Sequence, residues 1–280
     1  MDARTQLLCR LIVTALAAAG LWVAWSQNPP AQLALQKVTP NLWVIIGDGG
    51  NVAFMPTGEG VVMVDDKFAE DAPRILARVR SVTSQPVRYV FNTHQHIDHT
   101  GGNQALLAAK AEIIIQKNAR ANMVADKRSG IPRIAFSDES QVFLGGREVL
   151  ARYLGRGHTN GDAVIYFPSE RVLHTGDLLV EGAPFCDTSA GCSIVEWDKT
   201  LEKALQFDFD TVIPGHGPVM KRADLVSYVR TIAAIREQVR KACAGGAEDA
   251  AARVDLKGLG LTADEYFNSG VPGMCRELAR

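Results

Sequence analysis

The chain has 280 residues, 47% of them apolar, and a formal net charge of -1 from 30 basic and 31 acidic side chains. That supports a large core in one or two domains. The charges are spread along the chain with no basic block, which excludes a nucleic-acid partner bound by the usual electrostatic footprint.

In chain order, Arg4 and Arg10 come first, followed by an uncharged apolar run over 11–24. The run is shorter than the roughly 20 residues a spanning helix needs. A basic stretch before a short apolar core reads as a secretory signal over 1–26. Ala17-Ala18-Ala19 and Ala24-Trp25-Ser26 both fit a small-x-small cleavage site. An uncleaved N-terminal anchor is the alternative, and only it would involve a membrane. Either reading puts the body outside the cytoplasm, periplasmic or secreted. The Pro-containing segment 27–37 reads as a linker and 38–280 as one domain.

β-rich runs follow at 42–46, 51–55 and 60–65, around Gly47-Asp48-Gly49-Gly50 and a Pro56-Thr57-Gly58 turn. The spacing of Ile75, Leu76 and Val79 predicts a helix over 71–82. A strand is expected at 87–91, a helix at 103–109, a strand at 112–115 and a polar helix at 117–126. Strands follow near 141–144, 148–154, 163–167 and 171–174. The remainder reads as a helix over 195–207, a short strand at 211–213 and a long helix over 222–242. Thr262-x-x-Glu265 has the pattern of a capping box for a short last helix. Two blocks of strands with intervening helices predict an α/β chain of packed sheets covered by helices.

Of five cysteines, Cys9 lies in the signal region, leaving Cys186, Cys192, Cys243 and Cys275 with three possible pairings. Cys186–Cys192 across a turn-like loop, and Cys243–Cys275, are the pairs favoured in an oxidising compartment. Four free thiols behaving as small apolar residues are the alternative.

The chemistry concentrates in VFNTHQHIDHTGGN, residues 90–103, which holds three of the six histidines. The stretch follows directly on a predicted strand. Two residues apart on extended chain, His94 and His96 point to one side and reach one metal ion. Asp98 and His99 follow after the chain turns, and reach a second. His158 lies in the Gly-rich loop Gly155-Arg156-Gly157-His158, and His216 in Pro214-Gly215-His216-Gly217-Pro218 after a short strand. Histidine with carboxylate suits zinc, and also iron or manganese. His174, inside a strand, reads as structural.

HQHIDH resembles the HxHxDH signature of the metallo-β-lactamase superfamily. Gly157-His158-Thr159, Thr175-Gly176-Asp177 and Pro214-Gly215-His216-Gly217 match its further elements in order. The resemblance implies a four-layer αββα sandwich, here with extra C-terminal helices, and a two-zinc centre at one sheet edge. It implies His94, His96 and His158 on the first ion, Asp98, His99 and His216 on the second, and Asp177 bridging. It also implies metal-bound hydroxide attacking a carbonyl carbon, with Asp98 as the catalytic carboxylate that orients it. Asp162 is expected to orient His158, and Asp65 to support the loop of His94, with plain loop structuring as the alternative for both. Thr93 and Thr100 are expected to make local backbone hydrogen bonds.

The implied partner is a small molecule, and β-lactam ring opening is the specific reaction named first. Leu178-Leu179-Val180-Glu181-Gly182 carries no cation for the substrate carboxylate that β-lactamases hold. His99 and Asp177 look more like glyoxalase II and the lactonases, and Gly157-His158-Thr159-Asn160-Gly161-Asp162 is similar to the SoxH-like group. Another ester, lactone or thioester is therefore the alternative substrate, and an iron-dependent persulfide dioxygenase the alternative from another class. Trp43, residues 48–51, Phe185 and the Cys186–Cys192 loop are candidates to border the substrate. Arg156, Asn160 and Lys199 are candidates to meet an anionic group, against an ordinary surface or core role.

Overall fold

A computed structural model describes residues 32–280. The expected signal or anchor, Cys9 and the first part of the expected linker lie outside the described residues.

The first sheet has seven strands in chain order. They are β1 (Ala34–Thr39), β2 (Leu42–Ile46), β3 (Val52–Thr57), β4 (Gly60–Val64), β5 (Val87–Asn92), β6 (Glu112–Gln116) and β7 (Ile134–Phe136). β1 to β4 pair antiparallel, and β4 to β7 pair parallel. The second sheet contains β8 (Glu139–Leu144), β9 (Arg147–Tyr153), β10 (Ala163–Phe167), β11 (Val172–His174), β12 (Thr211–Ile213) and β13 (Met220–Lys221). Its order is β13-β12-β11-β10-β9-β8, with only β11 and β12 parallel. The helices are α1 (Ala72–Arg80), α2 (Ile97–Thr100), α3 (Asn103–Ala108), α4 (Lys117–Ala125), α5 (Trp197–Ala204), α6 (Arg222–Cys243) and α7 (Glu265–Leu278). Among the described residues no helix is long and apolar enough to cross a membrane.

The layering follows from side-chain alternation. In β4, Val62 and Val64 point to one face and Val61 and Met63 to the other. Both faces are buried, so the strand reads as an unbroken apolar run. The inward set meets Val149, Ala151, Ala163, Ile165 and Val172 of the second sheet. The outward set meets Ile75 and Val79 of α1 and Leu106 of α3. On the far side, Val164, Leu173 and Val212 turn outward against Trp197, Leu201, Ile232, Ile235 and Phe267 of α5, α6 and α7. The result is the expected helix–sheet–sheet–helix order, with two helices more at the C-terminus.

Three boundaries differ from expectation. β1 takes up the last residues of the expected linker, because pairing with β2 satisfies the backbone of this polar segment. The last helix is capped by Asp264, whose side chain accepts from the Phe267 N–H at 2.8 Å, so Thr262 is not its cap. The short strand β7 adds an edge to the first sheet beyond the expected set. Both expected disulfides are present, Cys186–Cys192 and Cys243–Cys275.

Candidate metal centre

β5 ends at Asn92, and the chain turns through residues 93–96 into the single turn of α2. That turn brings Asp98 and His99 back beside His94 and His96. The second sheet contributes from the facing side. His158 sits in the β9–β10 loop, Asp177 in a 3-10 turn just after β11, and His216 just after β12. A bridge between Val180 and His216 ties the last two loops together.

Two groups result. His94, His96, His158 and Asp177 offer ligand atoms that all lie within 4.8 Å of one another, and so do Asp98, His99 and His216. In the first group His96 Nδ1 lies 3.1 Å from His94 Nε2 and 2.9 Å from His158 Nε2. Asp177 Oδ2 stands 3.9 Å and 3.6 Å from the His94 and His158 nitrogens. In the second group His216 Nε2 is 3.2 Å from both His99 Nε2 and Asp98 Oδ2. Asp177 spans the two groups, its Oδ1 lying 3.1 Å from His99 Nε2 and its Oδ2 3.5 Å from His216 Nε2. That Oδ1 is buried and makes no hydrogen bond among the described residues.

These spacings fit a cation. Four ligands at about 2.1 Å in a tetrahedron stand about 3.4 Å apart. The outer ring nitrogens agree. His99 Nδ1 donates to Asp65 Oδ2 at 2.8 Å, and His96 Nε2 to Asp187 Oδ2 at 2.9 Å. His158 Nδ1 donates to the Phe185 carbonyl at 2.6 Å. Thr93 Oγ1 gives its proton to Asp65, so it accepts from His94 Nδ1 at 3.1 Å. Four rings thus spend an N–H outward and turn the other nitrogen to the centre, as metal-binding histidines do.

The electrostatics divide the groups. Burial pushes His94 and His158 down, helped for His94 by His99 and for His158 by His96, which keeps these rings neutral. Burial acts the same way on His216, but Asp177 and Asp98 outweigh it and raise that ring to about 9. His99 is raised too, against its burial, by Asp177, Asp98 and Asp65. Burial would raise Asp98, yet His99 and His216 hold it at about 2. The second group therefore calls for positive charge between its carboxylates.

The metallo-beta-lactamase superfamily model matches residues 45–216. The chain belongs to this superfamily. All seven candidate ligands fall within the matched range, and α6 and α7 lie beyond it. The chain is 26% identical over 190 residues to the 2,4-dinitroanisole O-demethylase subunit alpha of Nocardioides sp. (strain JS1661), covering 66% of this chain and 57% of that one. It is 24% identical over 217 residues to a metallo-beta-lactamase type 2 of Bacillus cereus, covering 71% of this chain and 82% of that one. A solved metallo-beta-lactamase from Pontibacter korlensis superposes with a TM-score of 0.65 at 21% identity, covering 72% of this chain and 99% of that one. Membership of this superfamily, with the metallo-beta-lactamases among its relatives, supports a metal-dependent hydrolase.

A cavity of about 550 Å³ opens over both groups of this superfamily member. Asp48, Gly49 and Phe185 line it as expected, with Phe68, Arg128, Glu181, Asp264 and Tyr266. Trp43 instead stacks on Phe54, at a centroid distance of 6.0 Å, on the outer face of the first sheet. Arg156 pairs with Glu196, and Asn160 accepts from Asn122. Neither they nor Lys199 line the cavity.

The supporting residues are partly rearranged. Asp65 does support the His94 loop, accepting from the Thr93 N–H and hydroxyl at 2.8 Å each. Thr93 therefore bonds a side chain, whereas Thr100 bonds the His96 carbonyl at 3.0 Å. Asp162 ties up Thr159 and leaves His158 to the Phe185 carbonyl. His174 is structural, donating from Nε2 to the Asn51 carbonyl and accepting the Gly176 N–H on Nδ1. Sequence reasoning missed Asp187, and it missed Lys67. Lys67 is wholly buried, and its Nζ donates to the Gly49 and Gly50 carbonyls at 3.2 and 2.7 Å, holding the β2–β3 hairpin over the centre. At Gly50 even a Cβ would come within 2.2 Å of the His99 ring.

Proposed function

We propose that the protein is an exported zinc-dependent hydrolase with two ions per chain. His94, His96 and His158 would hold the first ion, Asp98, His99 and His216 the second, and Asp177 would bridge them. The observation that carries this is the convergence of inward ring nitrogens and carboxylates in two adjoining groups, with the outer ring nitrogens already spoken for. When bound, the ions supply Lewis acidity toward a carbonyl and acidify water near neutral pH. The chain's own part is positioning. Asp98 lines the cavity with its side chain 24% exposed, and it would orient a water there. Phe68, Phe185 and Tyr266 offer apolar surface to the substrate body and exclude water. Export is supported by the apolar N-terminal run and by two disulfides.

β-lactam ring opening is the specific reaction we propose to test first, because metallo-beta-lactamases stand among both the sequence relatives and the structural neighbours. One observation favours a second reading. The cavity lining carries Asp48, Glu181 and Asp264 against a single guanidinium, that of Arg128. Such a rim suits a neutral ester, lactone or thioester better than a substrate with a free carboxylate. The test is to purify the protein, measure metal per chain, and assay β-lactams, lactones and thioesters beside His96→Ala. Two zinc ions and turnover lost in the variant support the proposal. One iron with oxygen uptake on a persulfide overturns it.

A further inference from the structure

Two of the three histidines in the first group lean on one short stretch of chain. His158 donates to the Phe185 carbonyl and His96 to the Asp187 carboxylate. Resting on the two-ion reading above, we infer that Asp187 is the positioning residue for His96, and that the cross-linked loop 186–192 with α7 fixes it in place.

His96 needs such a partner more than its neighbours do. The His94 and His158 side chains are 1% exposed, so packing fixes their rings, whereas that of His96 is 18% exposed on the cavity side. A ring open to solvent on one side turns about its bonds unless a hydrogen bond stops it. Asp187 Oδ2 takes the Nε2 proton, which fixes both the tautomer and the rotation that turn Nδ1 to the centre.

Asp187 is itself held at each atom. Its Oδ1 accepts the Ser189 hydroxyl at 2.5 Å and the Ser189 and Ala190 N–H groups at 3.0 and 3.1 Å. Its own N–H donates to the His158 carbonyl, and its carbonyl accepts from Cys192. The adjoining Cys186 is buried and bonded to Cys192, with Cα atoms 5.4 Å apart. Helix α7 seats directly on the loop. A Cβ at Gly270 would come within 2.7 Å of the Cys186 carbonyl, and one at Gly273 within 2.3 Å of Thr188 Oγ1. Glu277 of α7 accepts from Ser193 Oγ and the Ile194 N–H, and Cys275 ties the helix to α6. The helix beyond the matched family range thus backs the first group through a single loop.

The test compares full-length wild type, Asp187→Asn and Ser189→Ala by zinc competition against a chelator and by cobalt(II) spectra. Asp187→Asn should bind one of two zinc ions about 10- to 100-fold more weakly and change the cobalt ligand-field bands. Ser189→Ala removes the hydroxyl bond to Asp187 Oδ1 but leaves two N–H groups on that oxygen and Oδ2 on His96, so it should bind within a few-fold of wild type. Unchanged affinity and bands in Asp187→Asn overturn the inference. So does an equal loss in Ser189→Ala, which would mean that loop rigidity alone matters. Wild type that binds neither zinc nor cobalt overturns the two-ion reading as well. A second measurement needs no variant. Imidazole nitrogen spectra of zinc-loaded wild type should show His96 protonated on Nε2, and the reverse tautomer sinks the assignment.

Discussion

The Asp65 carboxylate meets His99 Nδ1 at 2.8 Å from the side of the ring facing away from the cavity, and both side chains are fully buried. The same carboxylate takes the N–H and hydroxyl of Thr93. One acid therefore sets the ring of the second group and the start of the loop carrying the first. Asp65→Ala should leave three buried donors without an acceptor and cost about 3–5 kcal/mol, the range for breaking a buried charged network. Urea unfolding of the metal-free variant checks this, and a loss under about 1 kcal/mol would mean the loop is held otherwise.

Lys67 gives a pH signature. Burial lowers it to about 8 from an ordinary 10.5. Below pH 8 the ammonium is charged in both states, and folding must bury it. Between 8 and 10.5 the unfolded chain binds the extra proton, so this residue's contribution to stability rises with pH by about 1.4 kcal/mol per unit. Wild type should therefore gain about 2 kcal/mol on Lys67→Met between pH 8 and 10. A difference that stays flat across that window would show that Lys67 titrates as an ordinary lysine.

The two disulfides should contribute unequally. Cys243–Cys275 closes a separation of 32 residues and Cys186–Cys192 one of 6. Chain entropy assigns about 3.7 kcal/mol to the first and about 2.2 kcal/mol to the second. Paired Cys→Ser variants in denaturant measure both. Titration of unfolded, unreduced protein lacking residues 1–26, and so Cys9, should also find no free thiol.

Gly50→Ala probes the hairpin. The new methyl would press on the His99 ring, and overpacking of this kind costs about 1–3 kcal/mol. Turnover should fall more than stability does, because the hairpin tip carrying Asp48 and Gly49 moves with it. Equal turnover in the variant would separate the hairpin from the reaction.

Much of this was readable because it is local. The HQHIDH stretch carries four candidate ligands within six positions, and each remaining one sits in a Gly-rich turn after a strand. The long helix at 222–242 and the alternating strands likewise wrote their burial into their spacing. What sequence could not give is contact across distance. Asp187 stands 91 positions from His96, and its neighbours spell an ordinary turn. Lys67 reads as surface charge until its burial under Gly47–Gly50 is seen. Asp264 and Thr262 are both good capping residues, and only the observed helix start at Glu265 chooses between them.

The candidate ligands are divided between the sheets, four after β5 and three from the loops of the second sheet. The seam of Val62, Val64, Ala151 and Ile165 between those sheets is thus also the hinge pin of the centre. A methyl lost there would shift one jaw against the other without touching a ligand. Metal affinity in this protein should then gauge how well two halves are aligned, and drift in the seam would surface first as metal loss rather than as unfolding.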